Sequence, residues 1–186
     1  MVSLSTEVIA MKPLEGKEIL IFAGPDYEDM ELHYPRYRLA EAGARITIAG
    51  IGEQTYQGKK GMPVDVDVQV TDVRAADFDA LVIPGGYAPD KIRRVPEALE
   101  IVRDMNDQGK TIGFICHAGW VPISAGVLKG RRITCVSAIK DDVVNAGAQW
   151  SDAEVVVDGN LVTSRKPEDL PAFCREAIRV VAGVLV

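Results

Sequence analysis

The sequence predicts an α/β fold: one mostly parallel central sheet with helices on both faces. Two observations carry this. Short apolar runs alternate with amphipathic segments along the chain, the pattern of strand–helix–strand units whose handedness makes neighbouring strands parallel. The inner runs, Lys17–Ala23 (KEILIFA), Asp79–Ile83 (DALVI) and Thr111–Ile115 (TIGFI), are continuously apolar. Strands read that way when both faces are covered.

The elements follow in order. Residues 1–15 lack a period and are expected as an N-terminal arm, with residues 16–186 forming a single domain. After the first strand, Gly24-Pro25-Asp26 breaks the run. A helix is expected from Tyr27 or Glu28 to Ala42, kinked or restarted at Pro35 and ended by Gly43. Ala44–Ala49 is a second strand, and residues 52–63 form a loop or small hairpin. Pro63–Val70 (PVDVDVQV) alternates strictly and is expected as one half-exposed edge strand. That alternation puts its aspartates on a solvated face rather than around a metal. Pro96–Gln108 is a helix with proline in its first turn. Arg132–Val136 is a strand and Ile139–Asn145 a short helix. Asp158-Gly159-Asn160 turns a hairpin between residues 154–157 and 161–164. Pro167–Val184 is the last helix, its stripe made of Leu170, Phe173, Cys174, Ala177, Ile178, Val181, Val184 and Leu185.

Composition narrows the function. The chain has 186 residues, about one domain's worth. It is 47% hydrophobic, enough for a sizeable core. A net charge of −6 argues against nucleic acid or anionic membranes as partners. There is no apolar run of spanning length, and the first dozen residues do not resemble a secretory signal. Three widely spaced cysteines, with no paired motif, point to a reducing cytoplasm rather than to disulfides or zinc.

The chemistry gathers at Cys116. It stands at the corner where the TIGFI strand gives way to a small-residue helix start, Ala118-Gly119-Trp120. Such a corner is expected to lift the sulfur to the sheet edge, with the following helix dipole lowering its pKa. The alternative is a small buried hydrophobe, the usual state of a free cysteine. Cys135 and Cys174 are read as packing residues. In parallel sheets, ligands bind beyond the carboxyl ends of the strands. Three strand ends carry suggestive residues: Gly24–Asp29, Pro84-Gly85-Gly86-Tyr87 and Cys116-His117. The amides of Gly85, Gly86 and His117 can form an oxyanion hole. A carboxylate among Glu28, Asp29 and Glu31 can share a proton with the thiol, and the residues alone do not choose among them. Adjacent corner side chains diverge, so no direct Cys116–His117 hydrogen bond is expected. His117 is instead expected on substrate or oriented by an acid such as Asp90. His33 is read as a surface or interface residue.

These segments, in this order, resemble the PfpI-like intracellular protease and deglycase family. That family lies in the class I glutamine amidotransferase-like superfamily with the parkinsonism-associated deglycase. The matching stretches are YEDMEL, RLAEAGARITIAG, FDALVIPGGYAPDKIR, ICHAGW, ISAGVLKGRR, IKDDVVNAGAQW and VVVDGNLVTSRKPEDLPAF, spanning about residues 17–180. The fold expected is a flavodoxin-like three-layer sandwich. The resemblance implies Cys116 as nucleophile beside His117, Glu28 as the carboxylate on the thiol, and Gly86 and His117 as oxyanion amides. It implies a homodimer or hexamer in which Asp90 of a neighbouring subunit orients His117, at a position where the family commonly has the longer Glu. The chain also departs from the family in Ala118-Gly119, where Gly-Pro is frequent, which brings Trp120 near the pocket beside Tyr87. Lys166 replaces a late histidine, which removes glutamine hydrolysis by the usual triad.

The function expected is a cytoplasmic, cofactor-independent stress-response enzyme. It would act as a deglycase or glyoxalase on glyoxal- and methylglyoxal-derived adducts of proteins or nucleotides. An intracellular cysteine peptidase is the alternative, and a redox sensor or chaperone using oxidation of Cys116 is the second.

Overall fold

The computed structural model describes residues 12–184. In chain order the elements are β1 (Glu18–Phe22), α1 (Asp29–Glu41), β2 (Arg45–Gly50), β3 (Thr55–Gln57), β4 (Pro63–Asp65), β5 (Val68–Gln69), β6 (Ala80–Ile83), α2 (Ala88–Ile92) and α3 (Pro96–Asp107). They continue with β7 (Thr111–Ile115), α4 (Trp120–Ala125), β8 (Arg132–Ile133), α5 (Lys140–Asn145), β9 (Gln149–Trp150), β10 (Val155–Asp158), β11 (Leu161–Ser164) and α6 (Leu170–Val181).

Seven strands form the central sheet in the order β10-β11-β7-β6-β1-β2-β5. All neighbours are parallel except the β10–β11 hairpin at one edge. The order reverses at β1, because β2 lies on one side of it and β6 on the other. The architecture is thus the expected flavodoxin-like α/β sandwich. Gly113 of β7 meets Phe173 of α6, while its neighbour Phe114 lies toward Gly119 and the α4 side. Alternation along β7 therefore serves two helical layers, one containing α1 and α6, the other α2, α3 and α4. A Cβ on Gly113 would stand 2.8 Å from the Phe173 ring, so this close approach of helix to sheet requires glycine.

Some boundaries differ from expectation for physical reasons. Leu14, assigned to the arm, is fully buried, and its N–H donates to the Ala42 carbonyl. Residues 1–11 of the arm lie outside the described residues. Helix α1 runs through Pro35 without restarting there. The alternating stretch 63–70 is not one strand. Its first part pairs with β3, whereas Val68 and Gln69 join the main sheet beside β2. Between them, the Asp67 carboxylate and N–H both bond the backbone of Ile48, which turns the chain from one sheet to the other. The strand predicted at 132–136 shortens to β8 and pairs with β9 outside the main sheet. Of the α6 stripe, Leu170, Phe173, Cys174 and Ala177 are buried, but the helix stops at Val181 and leaves Val184 exposed. Leu185 lies outside the described residues. The hairpin forms as predicted, with Gly159 at φ +57° in a two-residue loop. No helix among the described residues is long and apolar enough to cross a membrane.

Candidate active site

Three adjacent strands, β1, β6 and β7, deliver the three predicted loops to one edge of the sheet. The loops are stitched together by backbone. Glu28 N–H donates to Gly85 O at 3.1 Å, and Tyr87 N–H to Asp26 O at 2.9 Å. Gly86 adopts φ +78°, and a Cβ there would collide with the Glu28 amide. Gly85 is equally constrained, since its Cβ would meet a Glu31 carboxyl oxygen at 2.5 Å and Cys116 Cβ at 2.8 Å. The two glycines are therefore what lets the carboxyl, the thiol and the loop backbone converge.

Cys116 sits at φ +61°, a left-handed conformation that costs a non-glycine residue about 1 kcal/mol or more. It begins a single 3₁₀ turn, Cys116–Gly119, that leads into α4. This turn sets the sulfur beside the backbone N–H groups of His117 and Gly86, which lower the thiol pKa against the effect of burial. Both predicted oxyanion amides thus aim at the sulfur. The Gly85 N–H does not, because it donates to Glu31 Oε2 at 2.8 Å.

The structure corrects the choice of acid. Glu28 is the N-cap of α1, its Oε2 accepting from the amides of Met30 at 2.8 Å and Glu31 at 3.1 Å. Asp29 turns the other way and accepts from Lys60 N and Met62 N, both at 2.9 Å. Glu31, one turn further along, is fully buried; its Oε2 and the Cys116 Cβ converge on Gly85, while its Oε1 has no hydrogen-bond partner among the described residues. A helix places i and i+3 on one face but one turn apart. The capping position looks outward along the axis, so the acid facing the thiol comes from the next turn.

The electrostatics also differ from expectation. Burial, then the neighbouring Glu28 carboxylate, pushes Glu31 up to about 8. Burial, then the charge of Glu31, pushes the Cys116 thiol upward as well, against the predicted lowering. Desolvation outweighs the dipole because the turn after Cys116 is 3₁₀ and α4 is short. Burial and their mutual proximity thus disfavour the charged form of both the carboxyl and the thiol.

His117 is closer to the sulfur than expected, with Nδ1 3.2 Å from Cys116 Sγ. The left-handed turn at Cys116 rotates the two adjacent side chains onto the same side. Burial, then Lys59, keeps the imidazole below its usual pKa. No carboxylate bonds His117 among the described residues. Asp90 lies on α2, where its ion partners are Arg94 and Lys91. Trp120 packs its ring 5.3 Å from the His117 ring and donates Nε1–H to Asp142 at 2.8 Å, as the position near the pocket predicts. Tyr87 is 68% exposed and stands at the rim rather than inside. Cys135 and Cys174 are buried, in line with packing roles. Lys59 escaped the sequence reading, and His33 departs from it. Lys59 acts on both Glu31 and His117 from a short hairpin loop, and no residue pattern announces it. His33 is buried rather than superficial, its Nε2 3.0 Å from the Tyr27 hydroxyl.

Fold and site together define an α/β protein with a cysteine–carboxyl pair at the sheet's switch point. The chain belongs to the DJ-1/PfpI family, whose sequence profile matches residues 17–180. It is 47% identical over 163 residues to a protein of Pyrococcus abyssi named as a deglycase, covering 88% of this chain and 98% of that one. It is 44% identical over 171 residues to protein/nucleic acid deglycase 2 of Escherichia coli, covering 90% and 99%. Among solved structures, a two-domain protein of Anabaena variabilis with DJ-1/ThiJ/PfpI-like and ferritin-like domains superposes with a TM-score of 0.86 at 38% identity. That match covers 91% of this chain and half of the other.

Proposed function

We propose that this protein is a cysteine-dependent hydrolase of the deglycase type, working in the cytoplasm on adducts of glyoxal and methylglyoxal. The observation that carries the reading is the buried Glu31 carboxyl, held up to about 8, standing against Cys116 across Gly85. The adduct first releases its amine or thiol and frees the aldehyde; the sulfur then adds to the aldehyde carbon, forming a C–S bond and leaving charge on the former carbonyl oxygen. The N–H groups of Gly86 and His117 receive that charge. Glu31, neutral around pH 7, hands its proton to that oxygen while taking the one released by the thiol; then, while giving its own proton to the neighbouring carbonyl oxygen, it takes the one on the hemithioacetal carbon. Migration of that proton to the adjacent carbonyl carbon converts the hemithioacetal into a thioester, with no external oxidant. Water then releases the hydroxy acid and restores the thiol. The deglycase names borne by close relatives support the same reading.

The test is turnover of methylglyoxal by reduced protein, following dicarbonyl loss and lactate formation. Many turnovers are expected in the wild type, Cys116→Ala is expected to lose at least ~10³-fold, and Cys174→Ala to keep its rate. One equivalent or less consumed by the wild type would sink the proposal.

A second reading, a cysteine peptidase, is favoured by one observation: the 3.2 Å contact between Cys116 Sγ and His117 Nδ1. An imidazole on the sulfur can protonate an amine leaving group. Cleavage of peptide substrates that persists when dicarbonyl turnover is absent would select it.

A further inference from the structure

The hairpin loop between β3 and β4 is sewn to the rim of the pocket. Lys59 N–H donates to Tyr27 O at 2.9 Å, and Asp26 N–H to Gln57 O at 3.1 Å. The Asp29 carboxylate accepts from the Lys60 and Met62 amides, and the Tyr27 hydroxyl donates to the Met62 carbonyl at 2.6 Å. Tyr27 in turn bridges Gly86, whose amide faces the sulfur. Lys59 is therefore fixed, through its backbone, one strand away from the oxyanion loop. Its side chain is exposed and makes no ion pair among the described residues. Its charge nevertheless acts on groups on both sides of the sulfur, Glu31 and His117.

Its backbone is thus anchored beside the oxyanion loop, while its ammonium is exposed and unpaired among the described residues and can meet an anion arriving from solvent. The remainder of the molecule carries a net charge that repels anions. We propose that Lys59 is a specificity-determining residue that selects carbonyl substrates whose second arm carries a carboxylate. The arm would lie across the pocket rim, its anion on the Lys59 ammonium, while the carbonyl reaches Cys116. For its substrate class the inference rests on the carbonyl reading above, but the charge at the sulfur can be read without turnover.

Two measurements test it. The first compares alkylation of Cys116 by iodoacetate and by iodoacetamide, followed by mass spectrometry of the intact, reduced protein. The ratio of the two rates cancels the thiolate population and reports the local field. It is expected to exceed the ratio for a free small thiol and to fall roughly threefold to tenfold in Lys59→Gln, as for a unit charge several ångströms away in a high-dielectric pocket mouth. Lys60→Gln, the adjacent exposed lysine, is expected to leave it unchanged. A ratio insensitive to Lys59→Gln would overturn the proposal. The second compares hemithioacetals of methylglyoxal with N-acetylcysteine and with N-acetylcysteine amide, which differ in one charge. The carboxylate adduct is expected to have the higher kcat/KM, chiefly through KM, with the advantage lost in Lys59→Gln and at high salt. Equal turnover of both adducts defeats the inference alone. Failure to turn over either adduct defeats the carbonyl reading, and the substrate class with it.

Discussion

At the scale of single residues, Glu31 is the least expected and the most informative. Its proton is held up to about 8 against an ordinary glutamate value of 4.5. The folded state thus keeps a proton that the unfolded chain gives up near pH 4.5. Native protein binds more protons across this window, so the stability this group contributes is full below about pH 4.5 and is lost as pH rises through 8. Glu31→Gln keeps an acceptor for the Gly85 N–H and has nothing to ionise. It is therefore expected to match the wild type in thermal stability at pH 4.5 and to exceed it at pH 8, by about 2–4 kcal/mol or several degrees. Calorimetry at the two pH values checks this, and equal melting temperatures at pH 8 would refute the buried, proton-retaining carboxyl. The same residue marks a limit of sequence reading. Three acids within four positions are visible in the chain, but which one caps, which one anchors the hairpin and which one meets the thiol depends on the axis of α1 relative to β7.

At the scale of elements, β7 and α6 are joined through Gly113 and Phe173. The helix lies so close that the ring edge occupies the space of a side chain on the strand. Gly113→Ala is expected to cost about 1–3 kcal/mol by overpacking, measured by urea denaturation. Adding Phe173→Leu is expected to recover part of that loss, because it withdraws the clashing atoms. Two losses that simply add would show that the strain lies elsewhere. Element identity was largely legible. The continuous apolar runs of β1, β6 and β7 became buried strands, and Asp158-Gly159-Asn160 turned the hairpin. The alternating run at 63–70 was misread because period alone does not say which sheet a strand joins. Asp67 decided that by bonding Ile48 in a strand distant in sequence.

At the scale of the molecule, the edge hairpin needs an attachment beyond its strand pairing. Arg131 supplies one. Its guanidinium bonds the Asp158 carboxylate at 3.0 Å, the Asn160 side chain at 2.9 Å and Asn106 on α3 at 3.3 Å. The hydrogen bonds from Arg131 and the Arg132 backbone, together with their charges, keep the Asp158 carboxyl below its usual pKa. Arg131→Met removes the fork while keeping the aliphatic stem. It is expected to cost about 1–3 kcal/mol in global stability, with hydrogen exchange quickening first in β10 and β11. Unchanged protection in those strands would refute the attachment.

By itself the sequence determined the α/β class, the strand-end placement of Cys116, and the family. Each of these is written in local pattern: apolar period, glycines and prolines at strand ends, a nucleophile-type residue at a strand-to-helix corner. Only the tertiary structure decided that Glu31 rather than Glu28 meets the thiol, that His117 turns onto the sulfur, and that burial raises the pKa of the thiol. It alone brought Lys59 to the rim. The His117 contact follows from the positive φ at Cys116; the others are consequences of distance and desolvation between segments as far apart as Glu31 and Cys116, 85 positions in the chain, and neither quantity is a property of a residue or of its neighbours in sequence.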